Sequence, residues 1–272
     1  MKIGELLTKA QKEELRTELE VYLAWLFQVD RSLILVKSEE EIPVEHLSAL
    51  QMAWKDLKEG RPLAYILGQK EFYGIMLFVD ERVLVPRPET EGLLDLVLEY
   101  AGQNPLRVLD LGTGSGAIGL ALKKTAPQLQ VTAADISPEA LEVANKNFVQ
   151  HSAEVNLLQS DLLDSLKDRD FDLLVANLPY IGRKRFNYLS PEVERFEPEL
   201  ALFGGEDGLR LYARLFDQIR EGTWSFKRVF GEIGFAQGPA LLELAAEKLP
   251  GSSCKVSQDL SGLDRYFQIQ LS

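Results

Sequence analysis

The chain has 272 residues, of which 46% are hydrophobic and 26% charged, an ordinary globular composition long enough to bury a core without disulfides or metals. One cysteine (Cys254) has no partner for an internal disulfide, and two histidines (His46 and His151) leave little for a His-based zinc site or a Ser-His-Asp triad, so a reducing compartment and no metal are expected. A net charge of −12 argues against a protein whose affinity comes from coating phosphates with Lys and Arg, so direct DNA binding is not expected.

Met1-Lys2-Ile3-Gly4-Glu5 meets charge at once and lacks an apolar signal core. No stretch approaches the ~18 apolar residues of a spanning helix. The expectation is a cytoplasmic protein away from membranes. Leu15, Leu19, Tyr22, Leu23 and Leu26 recur at helical spacing. Asp30-Arg31-Ser32 breaks the pattern. Leu47, Leu50, Trp54 and Leu57 form a second stripe, closed by Gly60 and Pro62. Trp25 and Trp54 are expected in the core. Tyr73, Ile75, Leu77 and Val79 around Gly74 predict a short hairpin. In Val85-Pro86-Arg87-Pro88-Glu89-Thr90-Glu91, two prolines in three residues favour an extended segment, and a helix resumes near Glu91 with Leu93, Leu94, Val97 and Leu98 on one side. The predicted organisation is a helical domain at 1–70, a β-hairpin linker at 71–86 and a catalytic domain at 87–272.

Beyond residue 105 strands alternate with helices: Leu106–Leu111, Gln130–Asp135, Val155–Leu158, Phe171–Ala176, Lys227–Ile233, Cys254–Gln258 and Arg265–Leu271. The pattern predicts an α/β fold, a mostly parallel seven-stranded sheet with helices on both faces. Only Asp259–Asp264 separates the last two strands, too short for a crossover, so they should pair antiparallel.

Asp110-Leu111-Gly112-Thr113-Gly114-Ser115-Gly116 follows a strand and opens a helix. Glycines let the backbone turn sharply and approach a ligand, and the helix start offers unpaired N–H groups. Asp135 ends the next strand, where a carboxylate can hold a ribose diol. Ser137 and Pro138 start the following helix. Two ligands remain open. Gly114-Ser115-Gly116-Ala117-Ile118-Gly119 matches G-x-G-x-x-G, and Asp135 lies about 20 residues on, as a nicotinamide dinucleotide site would require. Asp110, just upstream, would repel a pyrophosphate and attract an ammonium or sulfonium, which favours S-adenosylmethionine.

Phe171–Ala176 leads into Asn177-Leu178-Pro179-Tyr180 at a strand C-terminus, where ligands bind in open α/β sheets. Asn and Pro also end strands simply as turn formers. The chemical reading is more specific. An amide or exocyclic NH2 is a poor nucleophile because its lone pair is delocalised. The Asn177 side-chain oxygen can accept one N–H and a backbone carbonyl the other, which aims the nitrogen at a methyl group. Pro179 stiffens the loop and Tyr180 offers a flat face for a planar group. Positioning and electrostatics suffice, with no strong base and no metal.

These segments together resemble the HemK/PrmC family of protein-(glutamine-N5) methyltransferases. The likeness spans nearly the whole chain and is carried by Pro62–Gly68, Glu71–Gly74, Pro86–Glu91, Asp110–Gly116, Asn177–Tyr180, Ser190–Val193, Glu197-Pro198, Ala201–Leu209, Glu232–Gly234 and Asp259–Gly262. The glycine loop is common to many methyltransferases, whereas Pro-Arg-Pro-Glu-Thr-Glu and Gly-Gly-Glu-Asp-Gly are far more specific. The resemblance implies a seven-stranded Rossmann-like class I methyltransferase domain behind a small helical domain that grips the substrate. It implies S-adenosyl-L-methionine as donor, S-adenosyl-L-homocysteine as product, and the Gly-Gly-Gln glutamine of peptide chain release factors 1 and 2 as acceptor. The donor would lie against Asp110, Gly112, Thr113, Gly114, Ser115, Gly116, Asp135, Asp161, Leu162 and Asn177. The substrate would lie against Asn177, Leu178, Pro179, Tyr180, Arg87, Glu89 and Thr90, with the Asn177–Tyr180 tetrapeptide catalytic. A monomer is expected.

Two departures stand out. The family motif is usually Asn-Pro-Pro-Tyr, and Leu178 holds its second place; that position contributes a backbone carbonyl, which Leu also has. Asn-Leu-Pro-Tyr is also typical of rRNA adenine dimethyltransferases, so an RNA N6-adenine methyltransferase stays open beside a ribosomal-protein glutamine methyltransferase, with the negative charge and the Pro-Arg-Pro-Glu-Thr-Glu segment counting against RNA. Leu162 stands where an aromatic often covers the adenine and would give an apolar wall without stacking. Arg183-Lys184-Arg185 reads as a solvated loop or as a contact for an acidic partner.

Overall fold

The computed structural model describes residues 1–167, 170–183 and 189–272. In chain order the elements are α1 (Ile3–Lys12), α2 (Arg16–Phe27), α3 (Arg31–Val36), α4 (Leu47–Lys58), α5 (Leu63–Leu67), β1 (Gln69–Phe72), β2 (Ile75–Phe78), α6 (Glu91–Ala101), β3 (Arg107–Leu111), α7 (Ala117–Thr125), β4 (Gln130–Asp135), α8 (Pro138–Gln150), β5 (Asn156–Gln159), β6 (Leu173–Ala176), α9 (Pro191–Phe196), α10 (Arg210–Glu221), β7 (Arg228–Glu232), α11 (Gly238–Lys248), β8 (Ser253–Gln258) and β9 (Asp264–Gln270).

The chain divides into two compact units. The first holds Met1–Gln69 together with Pro191–Phe196, a helix contributed from far along the sequence. Its core is the set of inward positions of α1, α2 and α4, including Ile3, Leu6, Leu7, Ala10, Leu19, Leu23, Leu50 and Ala53. Asp30 starts α3 by accepting the Ser32 N–H at 2.8 Å. Trp54 packs against this core beneath the Lys9 ammonium, 5.1 Å from its ring. Trp25 does not enter the core as expected: it is 36% exposed, its ring resting on Tyr22 at 5.7 Å. It lies three residues beyond Tyr22, on the edge of the buried stripe.

The second unit, Lys70–Ser190 and Glu197–Ser272, is built on a seven-stranded sheet in the order β5-β4-β3-β6-β7-β9-β8. The five strands from β5 to β7 are parallel, and β9 runs antiparallel to both β7 and β8. All four residues of β6 are buried, as expected of a strand covered on both faces. β1 and β2 form a separate two-stranded sheet. Their turn, Tyr73-Gly74, has φ of 52° and 71°, the two positive values of the tight hairpin turn whose twist matches the strands. Tyr73, expected in the alternating strand pattern, is thus a turn residue.

The register decides where function collects. Ala134, Leu111, Ala176 and Gly231 are aligned across β4, β3, β6 and β7. The next residues in the chain are Asp135, Gly112, Asn177 and Glu232. One row of strand ends therefore brings all four to one edge, beside β3, where successive crossovers leave in opposite directions.

Candidate active site

The glycine loop leaves β3 with Gly112, Gly114 and Gly116 at φ of 73°, 55° and 81°, values that side chains rarely adopt. The N–H groups of Gly112 and Thr113 both reach the Ala134 carbonyl, at 2.8 and 3.0 Å. A Cβ on Gly112 would come 3.0 Å from the Leu178 side chain, whereas one on Gly114 would project into open space. Asp135 clasps the loop from β4: its Oδ2 accepts the Gly114 N–H at 2.8 Å and its Oδ1 accepts the Ser137 N–H at 2.9 Å. Burial raises the Asp135 carboxyl, and these backbone bonds oppose the rise. Ser137 Oγ in turn accepts the Ala140 N–H and starts α8.

Asp110 lies behind the loop. It is fully buried, with Oδ2 accepting from Thr113 Oγ1 at 2.6 Å and from the Gly119 N–H at 2.9 Å, and Oδ1 receiving no hydrogen bond from a described residue. Burial pushes its carboxyl up to about 7. The side chain braces the loop from behind, through Thr113 and Gly119, and is not part of the cavity wall. Gly119, the last glycine of the G-x-G-x-x-G match, is explained by the same contact: a Cβ there would come 3.0 Å from Asp110 Oδ2.

In front of the loop is a cavity of about 310 Å³. Of the residues singled out in the sequence, Gly112, Thr113, Gly114, Ser115, Asp135, Asp161, Leu162, Asn177, Leu178, Pro179, Arg87 and Thr90 line it. Asp110, Gly116, Tyr180 and Glu89 do not. A Cβ on Gly116 would press on the Phe148 ring, so this glycine serves the packing of α8. Glu89 is exposed, and its carbonyl accepts the Tyr266 hydroxyl at 2.5 Å. Leu162 is buried with φ of 50° and forms apolar wall. Asp161 pairs with Arg214, another wall residue, at 2.9 Å. Phe72 and Pro86, from the Glu71–Gly74 and Pro86–Glu91 segments, add apolar wall, as do Leu84 and Leu200, which no sequence motif marks. An aliphatic and aromatic lining with a few convergent polar groups is the usual make-up of a small-molecule site. The strand-end carboxylate of Asp135 and the open space over Gly114 fit a nucleoside-bearing ligand.

The segment after Val85 is pinned by Glu197, whose side chain is 1% exposed. Its Oε2 accepts the Val85 N–H at 3.1 Å and its Oε1 accepts from Arg87 at 2.5 Å. Thr90 stands at the end of this segment. Asn177 Nδ2 donates to Thr90 Oγ1 at 3.0 Å and to Glu232 Oε2 at 3.2 Å. Asn177 Oδ1 receives no hydrogen bond from a described residue. The Leu178 side chain is buried in the core, so what that residue can offer a ligand besides apolar wall is its backbone. Tyr180 donates its hydroxyl to Glu232 Oε1 at 3.0 Å, and burial pushes the phenol well above its usual range. Glu232 is buried, which raises its carboxyl, while the Thr90 and Tyr180 hydroxyls hold it down. The Gly-Gly-Glu-Asp-Gly segment lies against the same loop: a Cβ on Gly204 would overlap the Pro179 carbonyl and one on Gly208 the Tyr180 carbonyl. Arg183 pairs with Glu199 and covers the Phe203 ring, whereas Lys184 and Arg185 lie outside the described residues.

Seven strands in this order, the glycine loop and the strand-end acid define a class I methyltransferase domain. Residues 92–189 match the family described as the methyltransferase small domain, and residues 2–68 match the PrmC N-terminal domain. Among relatives, a release factor glutamine methyltransferase of Streptococcus pneumoniae is 36% identical over 271 residues, covering 97% of each chain. That of Enterococcus faecalis is 38% identical over 236 residues, covering 87% of this chain and 85% of the relative. The chain belongs to the release factor glutamine methyltransferase family. A solved ribosomal protein L11 methylase from Lactobacillus delbrueckii subsp. bulgaricus shares the fold, with a TM-score of 0.52 and 23% identity over 71% of this chain and 84% of that one. A methyltransferase from Pyrococcus furiosus gives 0.55 and 18%, over 81% and 98%. The methyl donor is S-adenosylmethionine, and the dinucleotide reading of the glycine loop is set aside. No helix among the described residues is long and apolar enough to cross a membrane.

Proposed function

We propose that this chain transfers a methyl group from S-adenosylmethionine to the side-chain amide nitrogen of the Gly-Gly-Gln glutamine in peptide chain release factors 1 and 2. The observation that carries this reading is the direction of the Asn177 amide. Its NH2 is spent on Thr90 and Glu232, and its oxygen remains as an acceptor on a residue of the cavity wall.

The bound donor supplies an electrophilic methyl on a positively charged sulfur. Asn177 Oδ1 accepts one N–H of the glutamine amide and the Leu178 carbonyl accepts the other, which fixes the nitrogen's direction of attack. Pro179 limits the freedom of that carbonyl. Tyr180, tied by its hydroxyl to Glu232, keeps its ring in one place beside the loop. Asp135 holds the donor's ribose, with Gly112–Ser115 against the rest of it and Leu162 as an apolar wall for the adenine. The gain comes from orientation and from electrostatics arranged before the reaction.

The 1–70 domain is read as the part that recognises the release factor, on the strength of its match to the PrmC N-terminal domain. The 71–86 hairpin connects it to the 87–272 catalytic domain, and the enzyme acts as a monomer. Incubation of each release factor with the protein and labelled donor tests the reading. Label on the factors supports it; label on rRNA or on a ribosomal protein, with the factors unlabelled, overturns it.

A further inference from the structure

Glu232 ends β7 in the same register row as Asn177, yet it does not line the cavity. Its side chain receives three others. Thr90 Oγ1 donates to Oε2 at 2.7 Å, Asn177 Nδ2 donates to Oε2 at 3.2 Å, and Tyr180 donates to Oε1 at 3.0 Å. Its backbone carbonyl is held by the Tyr212 hydroxyl at 2.6 Å, so the carboxylate has a fixed origin.

A carboxamide is nearly symmetric in shape, and only hydrogen bonding tells its oxygen from its nitrogen. Two demands act on Asn177 here. An ionised Glu232 can only accept, so the group facing it must be NH2. Thr90 has a single hydroxyl proton, which goes to Glu232, so Thr90 can only accept from Asn177. Both demands turn Oδ1 away from the buried cluster. A neutral amide at position 232 would remove the first demand, because it could donate to Oδ1 of the flipped Asn177 amide nearly as well as it accepts from Nδ2 of the unflipped one. The convergence of three donors on one carboxylate is the arrangement its charged form needs.

We propose that Glu232 is a positioning residue for methyl transfer, setting the Asn177 carboxamide with Oδ1 available to the acceptor amide and anchoring the Tyr180 ring by its hydroxyl. The proposal rests on the role of Asn177 given above. Thr90 belongs to the same device, as the relay through which the Pro-Arg-Pro-Glu-Thr-Glu segment reaches the reacting centre. Glu232 touches neither donor nor acceptor and acts wholly through its three partners.

The test is Glu232→Gln, which keeps the size of the side chain and removes its charge. With a release factor as substrate, kcat should fall about 10- to 100-fold, while the dissociation constant for S-adenosylmethionine stays within about 2-fold of wild type. In the Asn177→Ala background, Glu232→Gln should cost little further, because the residue through which it acts is gone. An unchanged kcat in Glu232→Gln, or losses that multiply in the double variant, would overturn the proposal. If Asn177→Ala alone turned over like wild type, the reading of Asn177 itself would fall, which separates the two failures. Should Glu232→Gln not fold, Thr90→Val and Tyr180→Phe remove the two other partners one at a time: a lower kcat with unchanged donor affinity in both supports the proposal, and wild-type kcat in both contradicts it.

Discussion

The Asn177 carboxamide has two ends, and the proposed chemistry uses only its oxygen. Asn177→Ala removes that acceptor and leaves the buried cluster of Thr90 and Glu232 short of one donor. Turnover should drop on the order of 100- to 1000-fold, the usual effect of deleting one preorganised polar group. Single-turnover methylation of a release factor measures it, with donor affinity as the control. Asp110 makes a prediction of another kind. Folding raises its carboxyl from 3.8 to about 7, so its contribution to stability is full below about pH 4 and is lost as the pH rises toward about 7. Asp110→Asn abolishes that titration, and its stability should decline less than wild type over this window; parallel curves of unfolding free energy against pH would refute the assignment. The strand-end positions of Asp135 and Asn177 are legible in the sequence, because Asp135 closes the buried run of β4 and Asn177 comes directly after that of β6. The role of Glu232 was not, since it depends on the β6–β7 register, and nothing local in Glu232-Ile233-Gly234 states which strand lies alongside. The spacing of Asp110 from the glycines was equally legible, but its burial beneath the loop follows from tertiary packing.

Elements position these residues, and Asn147 of α8 is the clearest case. Its side chain is fully buried, accepts the Phe78 N–H at 2.7 Å, and donates to the Phe78 carbonyl at 2.9 Å and to the Ser115 carbonyl at 2.8 Å. One amide thus ties the β1–β2 hairpin to the glycine loop. Asn147→Ala would strand these buried backbone groups at a cost of about 2–4 kcal/mol. Denaturant unfolding should show that loss, and calorimetry should show weaker donor binding because the loop loses a brace; unchanged donor affinity would mean that Ser115 keeps its place without it. Six of the seven predicted strands ended within a residue of their place because buried β-runs between turn signals are a strong pattern. The Phe171–Ala176 run begins later, at Leu173: Asp172 instead accepts the Arg107 N–H and pairs with Lys227, closing the strand's entrance. The antiparallel β8–β9 pair was also legible, from loop length alone. Trp25 departs from the expected core position because helical phase outweighs residue type: the α2 face that buries Leu19, Tyr22 and Leu23 leaves position 25 at its margin.

At the scale of the whole molecule, the chain passes from the first compact unit to the second between Gln69 and Lys70, at the start of the hairpin. What could not be read is the return of Pro191–Phe196 to the first unit. A six-residue helix carries too little periodicity to announce its partner, and the Arg195 bond to the Glu59 carbonyl spans more than a hundred residues of chain. With Asn177 oriented to accept an N–H, the charge of −12 weighs toward a protein amide over a nucleic-acid amine, since the Asn-Leu-Pro-Tyr tetrapeptide could serve either. The most direct measurement is tandem mass spectrometry of a release factor incubated with the protein and S-adenosylmethionine, with rRNA and ribosomal proteins present as competitors. A single methyl on the side-chain amide of the Gly-Gly-Gln glutamine is the predicted result. An unmodified glutamine, with the methyl found on an adenine of the rRNA or on a ribosomal protein, would contradict it.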